Sequence, residues 1–496
     1  MSQDVGIGST LDEVYARALD ARDPRFDGVF FVGITSTGIY CRPICPARVS
    51  YPERRRFFAS AAAAERAGYR PCLRCRPELA PGRATCDAVS RLAHAAASRI
   101  AAGALNGRGV ADLAGELGVG ERHLRRVLER EMGVSPIELA LTHRLLLAKR
   151  LLADTRLSVT RIAYASGFQS LRRFNAAFRE RYRLSPSELR RPEARTGSRD
   201  DFVRLSLAYR PPLDWAAMLD LLRRDAVRGI DAVEGDRYVS AVRVDGHAGA
   251  IVARDAACDA RARGAPRHHV ELDVTPSLLP VLMPVLARVR HLFDLDAEPS
   301  VIDAHLAESG LDRLVHARPG VRVPGALDGF DVALRVLLRR ASRSQTAYES
   351  LAWRVTAALG DAIDAGLPSL HRLAPAPRRV AETDVQVLVL LGVRERYASI
   401  IVELARAVTA GRLRPEPGAD PADVTRELAS IGVDEASVAL ILARAAAWPD
   451  SFPAHDPTRS LAQRAERWRP WRAYAAMHLR LEATSATRDA ATVRAG

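Results

Sequence analysis

Four cysteines constrain this chain more than any other feature. Cys41 and Cys45 form one short pair, Cys72 and Cys75 a second, and 26 residues separate the pairs. Five of the six cysteines fall between residues 41 and 86, and the sixth, Cys258, stands alone. The N-terminal stretch MSQDVGIGSTLDEVYARALD carries acidic residues and no apolar segment, so no signal peptide is expected. Without a secretory route the pairs read as metal ligands rather than disulfides. Zn²⁺ takes four tetrahedral ligands, and two short pairs brought together by folding supply them. Spacing alone points to a structural site, and a cluster of buried free thiols is the weaker alternative.

A length of 496 residues is too great for one core and implies two to four domains. With 48% hydrophobic and 27% charged residues the balance is globular. Arg, Asp or Pro interrupts the apolar runs before a bilayer span, which excludes a membrane protein and leaves a cytoplasmic one as the expectation. The net charge of +14 is unevenly placed. Residues 1–200 hold 34 basic and 21 acidic side chains, against 39 and 38 in residues 201–496. A basic excess confined to one region points to double-stranded DNA as partner; a solvated arginine surface is the bland alternative. Lys149 is the only lysine, so no Schiff-base lysine exists beyond it.

Residues 84–190 have helical periodicity and contain an internal repeat. Val110-Ala-Asp-Leu113, Gly118, Leu124 and Ser135-Pro136 recur as Val159-Thr-Arg-Ile162, Gly167, Phe174 and Ser185-Pro186. Each copy reads as helix, turn, helix. Gly118 and Gly167 fall where the turn needs a residue tolerating positive φ. The second helices present Arg122, Arg125 and Arg126, and Arg172, Arg173 and Arg179, as a major-groove reader would. An arginine-rich helical bundle is the alternative, and duplication disfavours it. Strands are expected in FVRLSLAY, RYVSAVRVDG, AIVAR and HHVELDV, with helix WAAMLDLLRRDAV between them. From about Leu286 the pattern is helical.

TSTGIYCRPICPARV (Thr35–Val49) and AGYRPCLRCRPE (Ala67–Glu78) resemble the N-terminal domain of the Ada family, over about residues 21–80. That resemblance implies repair of methyl phosphotriesters in DNA. Zinc-bound Cys41 would be the methyl acceptor, with Cys45, Cys72 and Cys75 as co-ligands and Thr37, Arg48 and Arg70 as phosphate contacts. Residues 86–192 resemble the AraC-type DNA-binding domain, most diagnostically at IAYASGFQSLRRFNAAFRERYRLSP. This implies a transcriptional activator working with RNA polymerase. The Pro-Cys-His-Arg strand of an O6-alkylguanine transferase is absent.

Residues 203–496 resemble the AlkA-type 3-methyladenine DNA glycosylases. The carrying stretches are LAYRPPLDWAAMLDLLRRDAV, RHLFDLDAEP, WPDSFPAHD and RWRPWRAYAAMHL. The resemblance makes Asp456 the carboxylate that stabilises an oxocarbenium-like transition state; a helix N-cap is the alternative for it. Three positions depart from the family pattern. In Ser430-Ile-Gly432-Val-Asp434-Glu435, Asp434 replaces the second glycine of the phosphate-gripping hairpin. Gly432 remains, but a monovalent cation there becomes doubtful. The wedge that fills the gap after base flipping reads Arg339-Arg340, and Arg480 takes the place of a pocket aromatic. Tyr397 and Trp448 are further aromatics, with core packing as the first expectation for both.

The expected architecture is multidomain and mainly α. It comprises a small zinc-bound α+β domain (1–82), an all-α double helix-turn-helix domain (83–192) and a linker (193–202). An α+β TBP-like subdomain (203–285) and an all-α helix-hairpin-helix glycosylase domain (286–496) follow. The expected function is a bifunctional alkylation-damage response protein: a single-turnover methyl acceptor that switches on an activator, fused to a monofunctional glycosylase. Alternatives are a regulator with an inactive glycosylase half, and a zinc-stabilised transcription factor without methyl transfer.

Overall fold

The computed structural model describes residues 9–48, 50–82, 90–190, 202–258, 268–452 and 459–495. Cys86, the 193–201 part of the expected linker and Asp456 lie outside them.

The cysteine-bearing region is a four-stranded sheet of order β3-β1-β2-β4 with β1 (Phe31–Ile34), β2 (Ile39–Cys41), β3 (Arg55–Phe58) and β4 (Arg70–Pro71). β4 runs parallel to β2, with Tyr40 opposite Pro71. That register sets Cys41, at the end of β2, beside Cys72, which follows β4.

Both helix-turn-helix copies form as expected. The first pairs Val110–Glu116 with Glu121–Met132, the second Val159–Ala165 with Leu171–Tyr182. Gly118 and Gly167 have φ of +67° and +85°. The repeated Ser-Pro is a helix start. Ser135 and Ser185 are N-caps in capping boxes with Glu138 and Glu188, and proline occupies the first turn, where no N–H is needed. Ser135 opens the 19-residue helix Pro136–Asp154, which joins the two copies.

The four expected strands are β5 (Val203–Ala208), β7 (Arg237–Val244), β8 (His247–Asp255) and β9 (His269–Val274). Sequence reading missed β6 (Asp231–Glu234), an edge strand of four residues with acidic ends. All pair antiparallel in the order β5-β9-β8-β7-β6. Helices follow from Leu282 onward, and residues 285 and 286 both fall inside helix Leu282–Leu292.

The sheet is covered on both faces. Leu205, Ile251, Val270 and Leu272 share one core with Phe168, Phe174 and Phe178 of the second helix-turn-helix copy. Val239, Ala241 and Ala250 pack on Leu370 and Leu373. Each fully buried phenylalanine contributes about 1.5–3 kcal/mol, so the two halves of the chain are joined by apolar burial.

Candidate metal centre and nucleic-acid interface

Folding gathers Cys41, Cys45, Cys72 and Cys75 so that their sulfurs all lie within 4.8 Å of one another. Zn–S bonds of about 2.3 Å need sulfurs about 3.8 Å apart, so the quartet fits one ion with only small closure. The Arg42 N–H donates to Cys75 Sγ and the Arg74 N–H to Cys72 Sγ, each at 3.4 Å. Backbone donors of this kind favour thiolate. The thiols trade protons: the hydrogen bond with Cys41 pulls Cys45 down to about 7, while hydrogen bonding to Cys45 pushes Cys41 up. Four adjacent thiolates repel one another unless a cation joins them. Cys45, Cys72 and Cys75 are buried, and Cys41 alone is partly open.

Arg42 braces the site through an ion pair with Asp27 and a 3.2 Å bond to the Cys75 carbonyl. Thr37 is exposed in the turn between β1 and β2, where its N–H donates to Ile34 O. Arg70 is exposed on β4, with its N–H donating to Gly38 O in the same turn. Arg48 is exposed on the loop after Cys45.

On the first recognition helix Arg122 and Arg126 are exposed, and Arg125 is half-buried and pairs with Glu121 at 2.5 Å. On the second, Arg172, Arg173 and Arg179 are exposed. Leu124, Leu128, Phe174 and Phe178 point the other way, into the cores. The amphipathic division is what a groove-reading helix requires.

The glycosylase half departs most from expectation. Gly432 adopts φ +86° in the hairpin between helices Pro421–Ser430 and Glu435–Arg444. Asp434 is the N-cap of the second helix: it accepts from the Ser437 N–H at 3.1 Å and the Ser437 hydroxyl at 2.8 Å. Arg340 pairs with it at 3.3 Å. The carboxylate is therefore compensated on two sides rather than presented bare to a phosphate. Arg339 and Arg340 do not stand free as a wedge. Arg339 pairs with Asp225 at 3.2 Å and lies 3.8 Å over the Tyr348 ring. Arg480 sits 3.7 Å from Asp225, and Arg444 pairs with the same carboxylate. Tyr397 packs on the helical core under Arg394, and Trp448 does so under Arg91. The segment before Asp456 is anchored: Ser451 donates to Ala439 O at 2.6 Å, and Phe452 packs on Trp468.

Sequence reading missed two charged hubs. Glu65 is fully enclosed and accepts from Tyr40 Oη at 3.0 Å and Thr142 Oγ1 at 2.7 Å, and it pairs with Arg181. Asp225 holds three arginines. Glu65 lies between the quoted cysteine stretches and Asp225 near the end of LAYRPPLDWAAMLDLLRRDAV, where nothing marks it out, because long-range pairing leaves no local pattern. Lys149, a third missed residue, had a signal in being the sole lysine.

Three family models match the chain: the metal binding domain of Ada over residues 14–78, a helix-turn-helix domain over 113–192 and the AlkA N-terminal domain over 204–328. The chain is 32% identical over 484 residues to the probable bifunctional transcriptional activator/DNA repair enzyme AlkA of Mycobacterium tuberculosis, covering 93% of this chain and 95% of that protein. It is 30% identical over 292 residues to DNA-3-methyladenine glycosylase 2 of Escherichia coli, covering 55% and 95% respectively. Over 60 residues it is 52% identical to the bifunctional transcriptional activator/DNA repair enzyme Ada of Escherichia coli, covering 12% of this chain and 17% of that protein.

Proposed function

Because this chain belongs to the family of bifunctional transcriptional activators and DNA repair enzymes that joins an Ada-type half to an AlkA-type half, we propose that Cys41 is its methyl acceptor and Asp456 its glycosylase carboxylate. The protein binds one Zn²⁺ through its four clustered cysteines and works on double-stranded DNA. The observation that carries the acceptor role is exposure: of the four clustered cysteines only Cys41 is not a buried residue.

Bound zinc holds the cysteines as thiolates at neutral pH. The Cys41 sulfur attacks the methyl carbon of a phosphotriester, the carbon–oxygen bond breaks, and its electron pair leaves with the oxygen as an ordinary phosphodiester anion. Cys41 becomes a thioether, and the reaction is single-turnover. The quartet falls from net −2 to −1, so repulsion from the DNA backbone drops. Thr37, Arg48 and Arg70 contact phosphates on the sensor. Arg122, Arg125, Arg126, Arg172, Arg173 and Arg179 face DNA on the recognition helices.

In the second half, Asp456 stabilises positive charge at C1′ as the bond to an alkylated base breaks and the base leaves with the electron pair. Water adds to C1′ and gives up a proton, leaving an abasic site. The Gly432 hairpin backbone holds a phosphate. The five segments, 1–82, 83–192, 193–202, 203–285 and 286–496, act as acceptor, DNA reader, linker and two-part glycosylase. No helix among the described residues is long and apolar enough to cross a membrane. We place the protein in the cytoplasm, with RNA polymerase as its partner at promoters.

Two assays test this reading. After incubation with a methyl-phosphotriester duplex, peptide mass analysis should find one methyl on Cys41; an unmodified Cys41 refutes the acceptor role. Release of 3-methyladenine from alkylated DNA should be seen with the natural chain and lost in Asp456→Asn. Equal release by both proteins refutes the role of Asp456.

A further inference from the structure

The chain's only lysine is buried where the cysteine quartet meets the DNA-reading domain. Lys149 is 2% exposed and lies on helix Pro136–Asp154, which spaces the two helix-turn-helix copies. Its Nζ donates to the carbonyl of Cys72 at 3.4 Å and pairs with Glu78 at 2.5 Å. Glu78 is enclosed as well and accepts from Arg76 Nε at 3.0 Å. Arg76 follows Cys75 directly and clasps Asp154, at the end of the same long helix, through two 2.8 Å bonds. The Cys72–Cys75 turn is thus bolted to that helix by a chain of alternating charge.

The other half of the quartet is tied to the same helix. Tyr40, adjacent to Cys41, donates to Glu65, and Glu65 accepts from Thr142 and pairs with Arg181 of the second recognition helix. Thr142 and Lys149 are seven residues apart and lie on one helix face. Arg181 and Thr142 give Glu65 a cation and a donor, so that arm is closed. Lys149 differs: it is a cation set against the backbone of a metal ligand, and a cavity lined by Leu73, Glu78, Lys149 and Leu189 leaves room beside it.

We propose that Lys149 is the residue through which the charge of the cysteine quartet is read by the helix-turn-helix pair. The inference rests on methyl transfer to Cys41. Before transfer the −2 quartet draws the ammonium toward Cys72. After transfer the quartet is −1, the draw weakens, and the lysine lets go of the Cys72 carbonyl and stays with Glu78 alone. The long helix shifts with it, and the two recognition helices gain a seating on DNA that the unmethylated protein lacks. This gain comes in addition to the direct loss of repulsion at the sensor surface, which needs no lysine.

The test uses full-length protein and the double variant Glu78→Gln/Lys149→Met, which removes both charges together and leaves Arg76 with Asp154. Removing a buried pair as a unit avoids stranding one charge. Cys41 methylation is verified by mass in each protein. Affinity for an unmodified duplex is then measured by fluorescence anisotropy before and after methylation, at one salt concentration. The natural chain should gain about fivefold more on methylation than the double variant, the size of one unit charge acting at contact distance in water. Lys149→Arg should keep most of the gain. Amide exchange supplies a second readout on the natural chain: residues 142–150 should change protection when Cys41 is methylated. Equal gains in both proteins, or unchanged exchange across 142–150, would overturn the proposal. A Cys41 that accepts no methyl would instead overturn the acceptor reading on which it rests.

Discussion

Asp225 offers the sharpest test of how the glycosylase half is held together. It ends helix Trp215–Asp225 and faces Arg444, Arg339 at 3.2 Å and Arg480 at 3.7 Å, each on a different helix. Burial alone would raise its pKa, but the arginines, Arg444 first among them, hold it below the usual carboxylate range. Asp225→Asn keeps the shape and removes the charge. Breaking a buried pair from one side costs about 3–5 kcal/mol. Arg444 is 8% exposed and bears the full penalty, whereas Arg339 and Arg480, at 31% and 32%, are screened by solvent. The low end, about 3 kcal/mol, is therefore expected. With a urea slope of about 2 kcal/mol/M the midpoint falls by about 1.5 M. All five tryptophans lie between residues 215 and 471, so their emission reports on this half. Because the folded pKa is depressed, the stabilisation is present above the unfolded carboxylate value of about 3.9 and is lost as pH falls through the folded one. The two proteins should thus differ at pH 7 and converge in acid. A midpoint at pH 7 within about 0.3 M of the natural chain would refute the hub.

Three further outcomes follow from the packing. In Gly329→Ala the new Cβ would sit 1.8 Å from the Pro415 carbonyl oxygen, so the tryptophan-monitored midpoint should drop by the equivalent of about 2 kcal/mol or more. Asp434→Ala should cost about 1 kcal/mol as a lost N-cap, by the same assay, and should change DNA affinity less than about twofold because its charge is already compensated. Desolvation holds His143, His291 and His478 down at about 4, so between that value and the unfolded value of about 6.5 the unfolded chain binds more protons and stability falls with falling pH. Asp294, raised to about 6 by burial, opposes this, as do the carboxyls of Glu65, Asp255, Asp303 and Asp331, raised by the same cause; the histidine contribution is therefore read by difference, and the change in urea midpoint from pH 7 to pH 5 should be less unfavourable in His143→Phe than in the natural chain.

Local signals in the sequence carried the elements and the metal site. Cys41, Cys45, Cys72 and Cys75 announce themselves by spacing, and the paired glycines and Ser-Pro caps announce the two helix-turn-helix copies, because turn and cap chemistry acts over three or four residues. Asp434 shows the limit of such reading. As a substitution in a hairpin it looks like misplaced charge, whereas in three dimensions it caps a helix and meets Arg340, 94 residues away. Arg339 and Arg480 are similar: set against the family pattern they look like a wedge and a lost pocket aromatic, and only the fold reveals that both turn to Asp225.

The same limit applies to domain boundaries. A polar stretch after Arg190 marks a break in the chain, and the charge count breaks there too, yet the packing does not follow it. Phe168, Phe174 and Phe178 from before the break share a core with Leu205, Ile251 and Leu272 from after it. Arg150, buried in the long helix, donates to the Ser206 carbonyl of β5. Arg99, on the opening helix of the DNA-reading domain, pairs with Glu416 at 2.9 Å, and Arg91 lies over Trp448, eight residues before Asp456. Hydrophobic burial is indifferent to connectivity, so a sheet expected to serve the glycosylase alone also supports the second helix-turn-helix copy. Cutting the chain at the linker would expose that apolar face. The regulator half should therefore lose stability when produced without residues 203–281, even though every motif of its own remains intact.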